Sequence, residues 1–243
     1  IYPTGSVSVY QYDRNDRLIH VKLLASQQDE KASRVVEYIY DPVGNLLEAR
    51  AGDGQEIMSV TKYEYDVLNR VSVIIDPAGG RTTYTYDKIC GKVNSITDAA
   101  GNQCTFHYNK MGELIEKKDI RGNITRYEYN ALGKLTAITD AASRTTRHYY
   151  LLGGRLEKTV YPDNRYMEYE YDNLGRLKKK TDQNGYSMIY NYDCMGRVIS
   201  VKSSTGQEKI YVYDFMGNIV SVTDANGNET KYSYTKNGKL KEV

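Results

Sequence analysis

A chain of 243 residues that is 40% hydrophobic and 26% charged has enough apolar content to fold, which excludes a disordered polymer. Its 33 basic and 31 acidic side chains leave a formal net charge of +2, too near neutrality to act as a footprint for nucleic acid or an anionic membrane. No stretch approaches the roughly 18 uncharged apolar residues that a membrane helix requires.

Cys90, Cys104 and Cys194 are too few and too unevenly placed for a disulfide framework and lack zinc-site spacing, so all three are read as free thiols. The chain opens on Ile1 without Met and without a signal-peptide pattern, so it is expected to be an excised fragment that cannot report its own targeting. One skew remains. The chain holds 25 tyrosines against 2 phenylalanines and no tryptophan, a ratio that ordinary globular usage does not produce.

Aligning the chain on Tyr-x-Tyr places the second aromatic at Tyr12, Tyr40, Tyr65, Tyr86, Tyr108, Tyr129, Tyr150, Tyr171, Tyr192, Tyr213 and Tyr234, about eleven units in all. The first steps are 28, 25, 21 and 22 residues, and every step from Tyr108 onward is 21. Residues 1–62 are therefore read as irregular repeats, with insertions around Ser26 to Ser33 and Gly52 to Ile57, and 63–243 as the regular part of one array. Loops absorb such insertions cheaply.

Three columns define the unit. Two residues before the anchor stands a second ring, as at Tyr63, Tyr84, Tyr127, Tyr169, Tyr190 and Tyr211, with Phe106 and His148 as variants. Six residues after the anchor comes an aliphatic, such as Leu135, Leu177 or Val198. Between them lies a residue fit for positive φ: Asp16, Gly44, Asn69, Gly91, Gly112, Gly133, Gly154, Gly175, Gly196, Gly217 and Gly238. A second turn follows about ten residues later, as in Asp76-Pro77-Ala78-Gly79 and Asp182-Gln183-Asn184-Gly185.

Two turns per 21 residues leave two segments of about six residues, the length of a strand and too short for a stable helix. Tyr169-Glu170-Tyr171 puts both rings on one face of a pleated strand and Glu170 on the other. The predicted fold is all-β: tandem hairpins of about 21 residues in one curved or spiralling sheet, stabilised by neighbouring units and carrying raw strand edges at both ends. Such edges invite edge-to-edge self-association.

The unit Tyr169-Glu170-Tyr171-Asp172-Asn173-Leu174-Gly175-Arg176-Leu177 resembles the RHS/YD repeat, whose consensus is Tyr-x-Tyr-Asp-x-x-Gly-Arg-Leu. Tyr190, Tyr192, Asp193 and Gly196 repeat the grammar, as do Tyr211, Tyr213, Asp214 and Gly217. The earlier units carry it through Tyr63, Tyr65, Tyr84, Tyr86, Tyr127, Tyr129, Gly133 and Leu135. The resemblance implies a large secreted or cell-surface protein, often a bacterial toxin, in which a long β strip winds into a hollow shell around a C-terminal cargo. Related repeats occur in adhesion receptors similar to teneurins and in wall-associated proteins. The implied partners are flanking repeats and the encapsulated C-terminal domain of the same polypeptide. Family shells end in a core segment rich in Asp-Pro-x-Gly, credited with self-cleavage. Here Asp41-Pro42-Val43-Gly44 and Asp76-Pro77-Ala78-Gly79 occupy ordinary turn columns and are assigned to turns.

No enzyme is predicted, because the recurring columns are periodic whereas an active site is singular, and no cofactor or metal is expected. His20, His107 and His148 are scattered over different units and share no nucleophile. The Asp column is read as turn capping rather than calcium ligation, since one carboxylate per unit falls short of six to eight oxygens. Lys178-Lys179-Lys180 is read as a solvated strand segment. Exposed tyrosine rows make a cell-surface glycan the runner-up partner, and adhesion or carbohydrate binding the alternative function.

Overall fold

The computed structural model describes residues 7–24, 34–53, 55–235 and 237–243; the insertion expected at Ser26 to Ser33 lies outside the described residues. All regular structure among them is β. Contacts divide the chain into two compact units, residues 1–124 and 125–243.

The first unit runs through β1 (Val7–Tyr12), β2 (Leu18–Leu24), β3 (Arg34–Tyr40), β4 (Leu46–Gly52), β5 (Ile57–Tyr65), β6 (Val71–Ile75), β7 (Arg81–Tyr86), β8 (Val93–Thr97), β9 (Gln103–Tyr108) and β10 (Leu114–Lys118). Each pairs antiparallel with the next in chain order. The insertion expected at Gly52 to Ile57 is a turn with a register shift between Ala51 and Gly52. Asp53 Oδ1 accepts the N–H groups of Gln55 and Glu56 there.

β11 (Ile124–Tyr129) opens the second meander, followed by β12 (Leu135–Thr139), β13 (Thr145–Tyr150), β14 (Leu156–Val160), β15 (Tyr166–Tyr171), β16 (Leu177–Thr181), β17 (Ser187–Tyr192), β18 (Val198–Ser203), β19 (Glu208–Tyr213), β20 (Ile219–Thr223) and β21 (Glu229–Lys231). These too pair with their chain neighbours. A last hairpin joins β22 (Ser233–Tyr234) to β23 (Leu240–Glu242). The all-β, tandem-hairpin architecture predicted from the repeat is the one observed, as open antiparallel sheet in each unit.

Register follows from turn chemistry. In the β15–β16 hairpin Gly175 N–H donates to Asp172 O at 2.9 Å and Asp172 N–H donates to Arg176 O at 2.9 Å, closing a type I turn with a bulge. Gly175 takes φ +81, which a residue without Cβ enters at little cost. The bulge pairs Tyr171 with Leu177 but Glu170 with Lys179, skipping Lys178. All eleven residues nominated for positive φ adopt it, including Asp16 and Asn69 at φ 58.

The rings alternate with exposed residues in β7, β11, β13, β15, β17 and β19, where the residue between the paired rings faces solvent and the rings themselves are half-buried. Buried apolar residues are few: Val35, Val73 and Ala137 among the described residues. No large side chain there is fully buried. That is the burial pattern of a sheet without a second layer packed on it, so stability comes from cross-strand pairs and from the bonds that tie one repeat to the next.

Candidate functional site

The recurring columns assemble into a clamp between successive repeats. At the start of the turn, Asp172 Oδ1 accepts the N–H groups of Leu174 at 3.0 Å and Arg176 at 2.9 Å, satisfying donors that the turn leaves unpaired. Its Oδ2 accepts Arg176 Nε at 2.7 Å. Held this way, the Arg176 guanidinium reaches into the next repeat. It lies 4.5 Å from the Tyr192 ring centroid and donates through Nη1 to Asp193 O at 3.3 Å. Tyr192 Oη in turn donates back to Leu177 O at 2.8 Å.

The same contacts recur. Arg197 bonds Asp193, stacks 4.6 Å over Tyr213 and donates to Asp214 O, while Tyr213 Oη donates to Val198 O. In the first unit Arg70 joins Asp66 to the Tyr86 ring at 4.1 Å, and Tyr86 Oη donates to Val71 O. Tyr65, Tyr108, Tyr150, Tyr171 and Tyr234 likewise donate to the backbone O of Leu46, Val93, Leu135, Leu156 and Ile219. The anchor ring is thus a strut from one repeat to the aliphatic position of the repeat before it.

The remaining signature residues sit where this pattern requires. Tyr63 and Tyr65 lie on β5, Tyr84 and Tyr86 on β7, Tyr127 and Tyr129 on β11, Tyr169 on β15, Tyr190 on β17 and Tyr211 on β19. Leu135 and Leu177 open β12 and β16. Gly133, Gly196 and Gly217 hold the turns at φ 71, 83 and 90.

Electrostatics favour the clamp. The Arg70 side chain, and then its backbone N–H, hold the Asp66 carboxyl below the ordinary carboxylate range. Asp193 is lowered first by the Arg197 backbone N–H, which with help from the Arg197 guanidinium outweighs the opposing effect of burial. Partial burial pushes the phenols of Tyr86, Tyr108, Tyr150 and Tyr192 up, so they remain neutral donors at physiological pH.

Because the carboxylate oxygens of the Asp column already accept N–H bonds, the column is turn structure rather than a row of free ligands. Among the described residues no three His, Cys, Asp or Glu side chains group closely enough to hold a metal ion. The three cysteines are free thiols. Nor is any helix there long and apolar enough to cross a membrane. His148, the variant in the aromatic column, is lowered by burial and lies 3.1 Å through Nδ1 from Thr159 Oγ1. A shallow recess of about 600 Å³ is lined by Tyr149, Glu157, Lys158, Glu168, Tyr169 and Glu170.

The teneurin YD-shell family profile matches residues 75–189 and 167–243, together more than half of the chain. The chain belongs to the teneurin YD-shell family. Solved structures agree in fold: the chain is similar to the TcdB2-TccC3-TEV structure, with TM-score 0.63, 14% identity, and coverage of 98% of this chain and 17% of that one. It is similar also to TcdB2-TccC3 without its hypervariable C-terminal region, at TM-score 0.63 and 14% identity with the same coverages, and to TcdB2-TccC3-Cdc42, at TM-score 0.60, 14% identity and again 98% and 17%. Among curated proteins no sequence matches the chain.

As a YD-shell segment the chain spans 17% of the structures it resembles. Its family grammar was visible in the sequence as columns, but the role of the basic column was not. Arg17, Arg70, Lys92, Arg155, Arg176 and Arg197 all reach the ring of the next repeat. The signal available was a basic residue directly after the positive-φ position in unit after unit.

Proposed function

We propose that this YD-shell segment is wall material: a structural stretch of a large secreted RHS-type protein that encloses and helps deliver a C-terminal toxin or effector domain. One observation carries the reading. Chemistry-bearing residues recur at the repeat period and are spent on joining repeats, as in the Asp172, Arg176, Tyr192 and Leu177 circuit. A sheet with hardly any buried apolar residue suits a wall rather than a catalytic core. The likeness to TcdB2-TccC3, one structure of which lacks a hypervariable C-terminal region, supports a variable cargo beyond the wall. Partners are then flanking repeats and that cargo, and the segment itself has no catalytic role.

Limited proteolysis of the intact gene product tests this. The C-terminal domain should resist protease while the repeats are folded and become labile when they are unfolded by urea. Cleavage at the rate of the isolated domain would refute enclosure.

A second reading rests on the recess at Tyr149, where a half-exposed ring lies beside Lys158 and Glu168, a pair joined at 3.0 Å. Ring and polar groups together suit a sugar face, and adhesion through a cell-surface glycan is the function this supports. A saturable signal on a glycan array, lost in Tyr149→Ala, is the expected result for that reading.

A further inference from the structure

The basic column breaks off before the last anchor ring. Arg17, Arg70, Lys92, Arg155, Arg176 and Arg197 each reach the ring of the next repeat, at 4.1 Å for Arg70 to 5.7 Å for Lys92. The residue that by the same spacing faces Tyr234 is Asn218, directly after Gly217. Its side chain stays in its own turn, where Nδ2 donates to Asp214 Oδ2 at 2.9 Å. The rest of the clamp is intact. Tyr234 Oη donates to Ile219 O at 2.9 Å, and Gly238 N–H closes the next turn on Thr235 O. Between the two turns lies a cavity of about 390 Å³, lined by Asp214, Asn218, Tyr232, Tyr234 and Thr235. That volume is in the range of small-ligand sites.

The cavity is charged and incompletely satisfied. Asp172 and Asp193 are ion-paired with Arg176 and Arg197, whereas among the described residues no ion pair reaches Asp214 and no cation lies over the Tyr234 ring. The Asn218 side chain leads the hydrogen bonds that hold the Asp214 carboxyl below its ordinary range, so it is an anion at neutral pH. Ser233, also in the lining, has an Oγ that is buried without a hydrogen-bond partner, and such groups are uncommon in folded proteins. The other breaks in the column differ. Asn45 Nδ2 spans to Asn69 Oδ1 in the next turn at 3.0 Å. At Glu113 the polarity is exchanged, the acid accepting the Asn109 amide at 2.6 Å.

From this we infer that the cavity between Asn218 and Tyr234 is a binding site for an arginine side chain presented by a peptide. The ligand class is read from the fold itself, because one repeat earlier the matching ring, carboxylate and turn carbonyl hold the chain's own Arg197. A planar fork of five donors can pair with Asp214, bond Thr235 O and stack on Tyr234 at once, which a lysine point charge cannot. Phe215 and Met216, 90% and 65% exposed beside the cavity, give apolar contact to residues flanking that arginine. A free amino acid has no such flanks and brings its own carboxylate toward Asp214. The site is independent of the shell reading, since a wall can carry it whether or not it encloses a cargo.

The test titrates the whole chain with acetyl-leucyl-arginyl-leucine amide, followed by NMR shifts of the backbone amides of Phe215, Met216, Asn218 and Tyr234. Saturable binding is expected. Asn218→Arg supplies the guanidinium from within, as Arg197 does for Tyr213, and should weaken the peptide at least about tenfold. Asp214→Asn keeps a turn cap of the kind Asn130 already provides and should weaken it likewise. Citrulline in place of the arginine, similar in shape but uncharged, should lose a comparable factor. Equal affinity for the parent and both variants overturns the inference, as does equal affinity of the citrulline peptide. Shifts spread evenly over the turns of Asp172, Asp193 and Asp214 overturn it in favour of general attraction to acids. Free L-arginine binding as tightly as the peptide overturns the peptide as the source. No shift at about 10 mM peptide overturns the site itself.

Discussion

The phenol of Tyr192 donates to the backbone carbonyl of Leu177, 2.8 Å away and 15 residues earlier, so the anchor ring of one repeat closes onto the first residue after the turn of the one before. Removing the hydroxyl leaves a part-buried carbonyl without its partner while the ring still packs. Tyr192→Phe is therefore expected to cost about 1 kcal/mol of stability in urea denaturation. Tyr190→Phe, in the other ring column, should stay within roughly 0.5 kcal/mol of the parent because that ring makes no corresponding bond.

Arg176 is a three-way junction of the Asp172 carboxylate, the Asp193 carbonyl and the Tyr192 face. Lysine keeps the charge but has no planar fork to stack and bond at once. Arg176→Lys is expected to lose about 1 kcal/mol, the sum of a modest ring contact and a half-exposed ion pair. The Lys92 unit, where nature already uses lysine over Tyr108 at 5.7 Å, supplies the comparison. There Lys92→Arg should be neutral or stabilising, and a loss equal to that of Arg176→Lys would show that the stack contributes nothing.

Most of the fold was legible because turn chemistry and ring alternation are local properties. Gly175 and Asn69 had to sit at positive φ for the bulge to form, and Tyr169 and Tyr171 had to share a face for the pleat. The clamp was legible only as columns. Its bonds join residues such as Arg176 and Tyr192 that are distant in sequence and meet only once two hairpins are in register. Three intervening turns are less legible because they lack the Asp-x-x-Gly signature. Ser143 and Asn164 take the positive-φ position at 61 and 63, and Ser203 replaces the opening Asp before Gly206.

Ser143 makes one of those departures measurable. A side chain in the left-handed region costs roughly 1–2 kcal/mol, whereas a glycine adds about 0.5–1 kcal/mol of unfolded-state freedom. Ser143→Gly is thus expected to stabilise by about 0.5 kcal/mol. Gly175→Ala should do the reverse and by more: besides φ +81, an added Cβ would collide with the Arg155 guanidinium that lies over it. Chemical denaturation of the pair checks both signs, and a stabilised Gly175→Ala would contradict this geometry.

Acid should loosen the array through its turns. The carboxyls of Asp66, Asp140, Asp193 and Asp224 are all held below their ordinary value by hydrogen bonds from their own turns, led by the Arg70 side chain, the Arg144 side chain, the Arg197 backbone N–H and the Asn228 side chain respectively. A depressed folded-state value means that, between it and the unfolded value near 3.9, the unfolded chain binds more protons. The stabilisation is therefore complete above that unfolded value and is lost as pH falls through the depressed ones. Urea midpoints should change little from pH 7 to 5 and fall steeply below about pH 4. General repulsion among 33 basic residues would produce a similar trend, so the discriminating variant is Asp66→Asn/Asp140→Asn/Asp193→Asn. Asparagine can still cap the turn, as Asn130 does for Leu132 and Lys134, but it cannot titrate. That variant is expected to be less stable at pH 7 and to show a shallower acid limb, converging on the parent near pH 2. Two parallel limbs would place the acid sensitivity elsewhere than in these turns.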